Sequence, residues 1–256
     1  MATRRMLLKG SLLTLGMAAL RTAAAEHLPH DVGRKFDAEG GVLPFAGNTV
    51  ICHLPQQGEG SHLFDALLDV YRELPRQSWA RCITALPPSS YHMTIFGCAD
   101  DRDRHYPLWP AGLPLDMPMA QCSEILAQRL QQFRLGEDAA PYRLRVNPAA
   151  PAATETPLTL RLIAADAATE TRLRRLRDRL ADVTGIRDPD HDHYQFHITL
   201  GYQIAPLTDA QDSAWRDALA HWKTQVVQRV PVFTLGNPEF CVMKDMFAFK
   251  RQFYLT

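Results

Sequence analysis

The sequence predicts an α+β chain made of two similar halves. Strand-like and helix-like stretches alternate along its 256 residues rather than segregating. A pattern of aromatic-His-x-Thr-aliphatic occurs twice, as Tyr91-His92-Met93-Thr94-Ile95 and Phe196-His197-Ile198-Thr199-Leu200, with the two histidines 105 positions apart. The order around each copy is also the same: strand, helix, motif strand, helix, then one or more strands, as an internal duplication would give.

Glu26 to Asn48 is Gly-rich, carries Pro29 and Pro44, and reads as an N-terminal arm. Thr49 to Leu54 is β-prone and stops at Pro55. Ser61 is placed to cap a helix whose Leu63, Phe64, Leu67, Leu68, Tyr71 and Leu74 recur at helical spacing. Trp79 to Leu86 reads as a strand, Pro87-Pro88 as a break, and Tyr91 to Gly97 as the first motif strand. Asp100 to Pro118 is a long charged, Pro- and Trp-containing loop, Met119 to Phe133 an amphipathic helix, and Tyr142 to Asn147 a strand. After a Pro/Ala/Thr-rich break from Asn147 to Pro157, Leu158 to Ala164 is a strand. Asp166 to Val183 is a helix with Leu173, Leu176, Leu180 and Val183 inward, stopped by Gly185. Tyr194 to Tyr202 is the second motif strand and Asp209 to Val227 a helix. Val230 to Leu235, Phe240 to Met243 and Phe247 to Leu255 are the closing strands.

Residues 1–25 read as a twin-arginine export signal rather than as part of the fold. Thr3-Arg4-Arg5-Met6-Leu7-Leu8-Lys9 is followed by the apolar run Gly10 to Leu20, and Ala23-Ala24-Ala25 offers a cleavage site before Glu26. The run is shorter than the roughly 20 residues that span a bilayer, so the expectation is a cleaved signal, no stable membrane anchor, and a periplasmic or extracytoplasmic protein. The expected partner in export is the twin-arginine machinery. Arg4, Arg5, Lys9 and Arg21 leave with the signal, so 24 basic residues face 28 acidic ones. A net acidic chain is not a sequence-independent binder of long DNA, whose affinity needs many Lys and Arg contacts to phosphate. Five cysteines without a C-x-x-C spacing leave open whether Cys82 and Cys98 pair or all remain buried thiols.

The doubled motif carries the chemistry. Side chains alternate on a strand, so His and Thr share one face while the aromatic, middle and aliphatic residues share the other. Two such strands facing one another offer two imidazoles to move protons and two hydroxyls to hold phosphate oxygens, with no metal needed. A ribose 2′,3′-cyclic phosphate or a 2′,5′-phosphodiester suits that set, one oxygen arriving and one leaving in line at phosphorus.

Paired His-x-Thr-aliphatic motifs on strands of a duplicated α+β chain resemble the 2H phosphoesterase superfamily, which includes the bacterial RNA 2′,5′-ligase/cyclic phosphodiesterase group. The likeness spans about residues 45 to 256. It implies two pseudo-symmetric lobes with antiparallel sheets around a central cleft and helices outside, lobe 1 at about 49–150 and lobe 2 at about 151–256. It also implies catalysis by His92 and His197 without an organic cofactor, phosphate binding by Thr94 and Thr199, and a small nucleotide or RNA-terminal phosphodiester substrate. The chain is expected to be a monomer. The export signal sets it apart from cytoplasmic RNA-processing members, and the Asp100 to Pro118 loop is long enough to reshape or cover the cleft.

Other residues compete for a role. Asp188-Pro189-Asp190-His191-Asp192-His193, with His197, could build a metal-dependent hydrolase, although Asp-Pro-Asp is also turn chemistry. A periplasmic nucleotide-binding module without turnover is the non-enzymatic alternative. Tyr91 and Tyr202 should face away from the cleft unless Gly201 bends the strand. Lys244, Lys250 and Arg251 are candidates for phosphate contact, and Phe247, Phe249, Phe253 and Tyr254 for core packing or base stacking. His53 and His105 read as structural. The basic face Arg172, Arg174, Arg175, Arg177 and Arg179 interleaves with Glu170, Asp178 and Asp182 and reads as salt-bridged surface.

Overall fold

A computed structural model describes residues 28–150 and 158–256; the expected export signal at 1–25 lies outside them. In chain order the elements are β1 (Gly47–His53), α1 (His62–Glu73), β2 (Ile83–Ala85), β3 (His92–Asp100), α2 (Met119–Gln132) and β4 (Tyr142–Val146). There follow β5 (Leu158–Ala164), α3 (Ala167–Thr184), β6 (His197–Gln203), α4 (Asp209–Arg229), β7 (Phe233–Leu235), β8 (Glu239–Asp245) and β9 (Ala248–Tyr254). The strands form one antiparallel sheet in the order β7-β4-β5-β6-β3-β1-β8-β9, with β2 also paired to β6. The α+β class and the two-lobed arrangement of strands and helices are as the sequence predicts.

The duplicated order conceals an exchange. β1–β3 and β5–β6 are corresponding pairs, and each is extended by a strand from the other half. β4 follows α2 but pairs with β5, whereas β8 follows α4 but pairs with β1. Each side of the sheet therefore contains strands from both halves of the chain. The helices pack in pairs, α1 with α4 and α2 with α3.

Local chemistry sets the element ends. Asp166 accepts a hydrogen bond from the Thr169 amide at 2.8 Å and caps α3, which Gly185 ends at a φ of 73°. Thr208 and Gln211 form a capping box at α4. Ser61 does not cap α1; its hydroxyl donates instead to Asp65, 3.0 Å away. The strand expected over Trp79 to Leu86 is reduced to β2, preceded by a helical turn at Ala80–Cys82. Tertiary packing overrides β propensity there, because Trp79 is fully buried and stacks on Trp215 of α4, ring centroids 5.6 Å apart. All five cysteines are free thiols, so Cys82 and Cys98 do not pair.

The arm folds back onto the sheet. Phe36 is fully buried, its ring centroid 5.1 Å from that of Tyr202 and 6.0 Å from that of Phe247. This contact carries Lys35 to the β6 side of the fold. The 100–118 loop is anchored beside α3 rather than free: Trp109 is fully buried, Ala111 donates to the Gly185 carbonyl, and Arg187 donates to that of Pro107.

Candidate active site

β3 and β6 pair at a single position, where Met93 lies opposite Ile198. Both side chains are fully buried, so the flanking His and Thr of each motif turn to the other face. Antiparallel register carried one residue either way sets His92 across from Thr199 and Thr94 across from His197. The four positions thus form a two-fold arrangement about the Met93–Ile198 pair. All four side chains are part-exposed.

Two further features repeat. The Nδ1–H of His92 donates to the Ser90 carbonyl at 2.6 Å, and that of His197 to the Gln195 carbonyl at 2.8 Å. A carbonyl can only accept, so Nδ1 carries the proton and Nε2 is left as the reacting nitrogen in both rings. Each motif strand also bulges just after its Thr. Val50 and Ile51 pair with Phe96 and Thr94, skipping Ile95; Leu158 and Thr159 pair with Gly201 and Thr199, skipping Leu200.

Burial pushes the His92 imidazole down to about 4, with His53 and His197 adding to the fall and the Ser90 carbonyl opposing it. Burial also lowers His197, helped by Arg161 and Lys35. Both rings are therefore neutral at neutral pH, and each Nε2 can accept a proton.

The surroundings of the two histidines differ. Beside His92 in β1 stands His53, ring centroids 6.0 Å apart, while Phe249 packs on His92 at 4.3 Å. Beside His197 in β5 stands Arg161. Lys35 lies 4.8 Å over the Tyr202 ring and 3.1 Å from Asp31. Burial works against its charge, but Tyr202 and Asp31 more than compensate and raise it. The Tyr202 hydroxyl, which donates to the Met246 sulfur at 3.9 Å, lies beside Thr199, and the Tyr194 hydroxyl lies beside Thr94. Alternation along the strand predicts that Tyr202 faces away from the cleft; the bulge at Leu200 brings it round. Tyr91 is buried as expected.

Arg177 corrects the view of α3 as a salt-bridged surface. It is 3% exposed and donates to the Ile95 carbonyl at 2.6 Å and the His191 carbonyl at 3.2 Å, with its guanidinium 4.0 Å over the Tyr194 ring. It thereby holds the bulge of β3. Arg174 pairs with Glu170 at the surface, as expected, but Arg175 and Arg179 reach the buried Asp138. Nothing local distinguishes Arg177 from its neighbours in the sequence except its place in the Leu173-Leu176-Leu180 stripe.

The acidic and imidazole cluster before β6 does not join His197. His191 is buried and turns to Asp178, with Nε2 3.0 Å from the carboxylate. Asp178, His191 and Asp192 could reach a common ion, but Arg187 already pairs with both acids at 3.3 and 2.9 Å. No cluster of three possible ligands among the described residues includes His197.

Similarity to known proteins bears on the family and the fold. The family model 2H-phosphodiest, a domain of unknown function (DUF1868), matches residues 35–155. The crystal structure of the conserved protein of unknown function ATU0111 from Agrobacterium tumefaciens strain C58 is 32% identical, at a TM-score of 0.80 over 92% of this chain and 96% of that one. The chain belongs to the 2H phosphoesterase superfamily. TT0787 of Thermus thermophilus matches at 18% identity over 81% of this chain and 97% of that one, with a TM-score of 0.42, too distant to bear on the comparison. No curated protein matches the chain. In this member of the superfamily the four residues singled out by the sequence lie about one strand pair. Sequence reasoning did not find Lys35, Arg161, Arg177 or Glu239, and read His53 as merely structural.

Proposed function

We propose that this 2H phosphoesterase hydrolyses a cyclic nucleotide, or a 2′,3′-cyclic or 2′,5′-phosphodiester bond, by two-histidine acid–base catalysis without a metal. The observation that carries this reading is the matched anchoring of His92 and His197 by their Nδ1–H groups on either side of the Met93–Ile198 pair. One Nε2 takes a proton from water as its oxygen bonds to phosphorus. The phosphorus–oxygen bond to the leaving group breaks, and the other imidazole, as imidazolium, gives that oxygen a proton. An anionic phosphate in the cleft favours the imidazolium that this second role needs. Thr94 and Thr199 donate to the non-bridging oxygens as charge develops there. The twin-arginine signal expected at residues 1–25 would carry this chemistry to a compartment outside the cytoplasm.

The test is a panel of nucleoside cyclic phosphates and linear phosphodiesters, with and without chelator. His92→Ala and His197→Ala should each lower turnover by about 10²- to 10⁴-fold while the far-ultraviolet spectrum and unfolding midpoint stay near those of the parent. Near-parent turnover in either variant refutes the two-histidine mechanism. Loss of activity in chelator, restored by one metal, favours a metal-dependent hydrolase; binding without turnover favours a nucleotide-binding module.

A further inference from the structure

A cavity of about 560 Å³ opens beside His92 between β1 and the β8–β9 hairpin. His53, Glu239, Phe249, Arg251, Tyr254 and Asn237 are among its walls. Phe249 also packs on His92, so cavity and motif share a wall.

Glu239 organises the polar side of this cavity. It is 2% exposed, and one carboxylate oxygen accepts from the His53 amide at 3.2 Å and faces His53 Nδ1 at 2.6 Å. The other accepts from Arg251 at 3.3 Å. Burial works against the charge on Glu239, but these bonds hold its carboxyl below the ordinary value. The carboxylate thus faces inward to partners on both oxygens and orients two nitrogen groups. With Nδ1 on Glu239, His53 turns Nε2 away from the carboxylate. Arg251 makes its bonds to Glu239 and to the Tyr254 hydroxyl through one terminal nitrogen, leaving its other N–H groups for a ligand.

Cys241 also lies close enough to His53 and Glu239 to suggest a metal site. The Arg251 guanidinium already occupies the cation's place at the carboxylate, and burial raises the Cys241 thiol, disfavouring the thiolate a metal would need. The unused N–H groups of Arg251 call for an anion instead, and the His53 Nε2, an acceptor while Nδ1–H donates to Glu239, joins them as a donor in the imidazolium form that an anion beside it favours. A guanidinium and an imidazole approaching from different strands suit a tetrahedral phosphate better than a planar carboxylate. The volume exceeds that of a phosphate alone, and Phe249 and Tyr254 supply apolar walls for the fragment that bears it.

We propose that this cavity is a subsite for a second phosphate, carried as a monoester on the part of the substrate that lies beside His92, and that Arg251 and His53, both oriented by Glu239, recognise it. The proposal rests on the phosphodiesterase reading and narrows its substrate to a cyclic phosphate or diester bearing a further phosphate group. Arg161 is the counterpart of His53 beside His197, so the two ends of the substrate meet different side chains.

The experiment compares kcat/KM for a nucleoside 2′,3′-cyclic phosphate with that for its 5′-phosphorylated form. The parent should prefer the phosphorylated substrate by about tenfold or more, as a charge-assisted contact gives. In Arg251→Ala, a half-exposed position, that ratio should fall to about one. A ratio near one in the parent, or an unchanged preference in the variant, overturns the subsite. Should the parent cleave neither compound, the hydrolytic reading fails for them, and the subsite is judged by binding alone. A nucleoside 5′-monophosphate should then shift the His53 ring resonances where the bare nucleoside does not, an effect lost in Arg251→Ala. Absence of a phosphate-dependent shift refutes the subsite.

Discussion

The two halves of the site match at the backbone and part company at the side chains. On both, a His-x-Thr strand bulges after the threonine, and the histidine is pinned to the carbonyl two residues before it. Outside that frame, His92 has the aromatic Phe249 and the His53–Glu239 pair, whereas His197 has the cations Arg161 and Lys35. Proton transfer at phosphorus asks for the same geometry from either direction, so duplicated backbone suffices for it. A substrate with unlike ends asks for unlike walls.

The largest expected effect breaks the symmetry of the histidines themselves. His92, pushed down to about 4, is the ring better suited to be unprotonated and act as base, leaving His197 to act as acid. A phosphodiester with a nitrophenol leaving group needs little protonation as it departs. On that substrate His197→Ala should recover much of the roughly 10²- to 10⁴-fold loss it shows with an alkoxide leaving group, whereas His92→Ala should not. Recovery in His92→Ala alone reverses the assignment.

The threonines give a smaller test of the same frame. Thr94 and Thr199 each stand beside a tyrosine hydroxyl, that of Tyr194 and that of Tyr202 respectively. Thr94→Val and Thr199→Val keep the side-chain shape but remove a donor to phosphate. Each should lower kcat/KM by about tenfold to a hundredfold, with the two losses alike if both donors meet equivalent oxygens. A loss confined to one variant would mean that the hydroxyls do not grip the phosphate as a pair.

Local periodicity and capping chemistry made part of the molecule legible in its sequence. His and Thr two apart must share a strand face, and Asp166 and Gly185 bracket a helix through their own hydrogen bonds and backbone preference. Gly201 hints at a bend that would turn Tyr202, but the bulge itself, at Leu200, exists only against β5, and it is what turns Tyr202 toward Thr199. His53 looks ordinary in the sequence because the carboxylate that orients it is 186 residues away. Element order was legible, but the exchange of β4 and β8 was not: the same order results whichever strand each one joins. The β propensity of Trp79 points to a strand, and only the stack on Trp215 explains the helical turn that comes after it.

The smallest expected effect separates the halves by stability rather than by rate. A histidine whose folded pKa lies below its unfolded value binds its proton more readily in the unfolded chain. Stability therefore falls as pH drops below the unfolded value of about 6.5, and goes on falling until the folded pKa is reached. For His92 that window reaches to about 4, so the parent should lose about 1–2 kcal/mol between pH 7 and pH 5 on its account. His92→Gln has no proton to gain there. In urea unfolding at pH 7 and pH 5 the variant should be less acid-sensitive than the parent by that amount, and His197→Gln should show a smaller difference in the same direction. Equal acid sensitivity in parent and His92→Gln would mean that the His92 ring is far better hydrated than its packing against Phe249 implies.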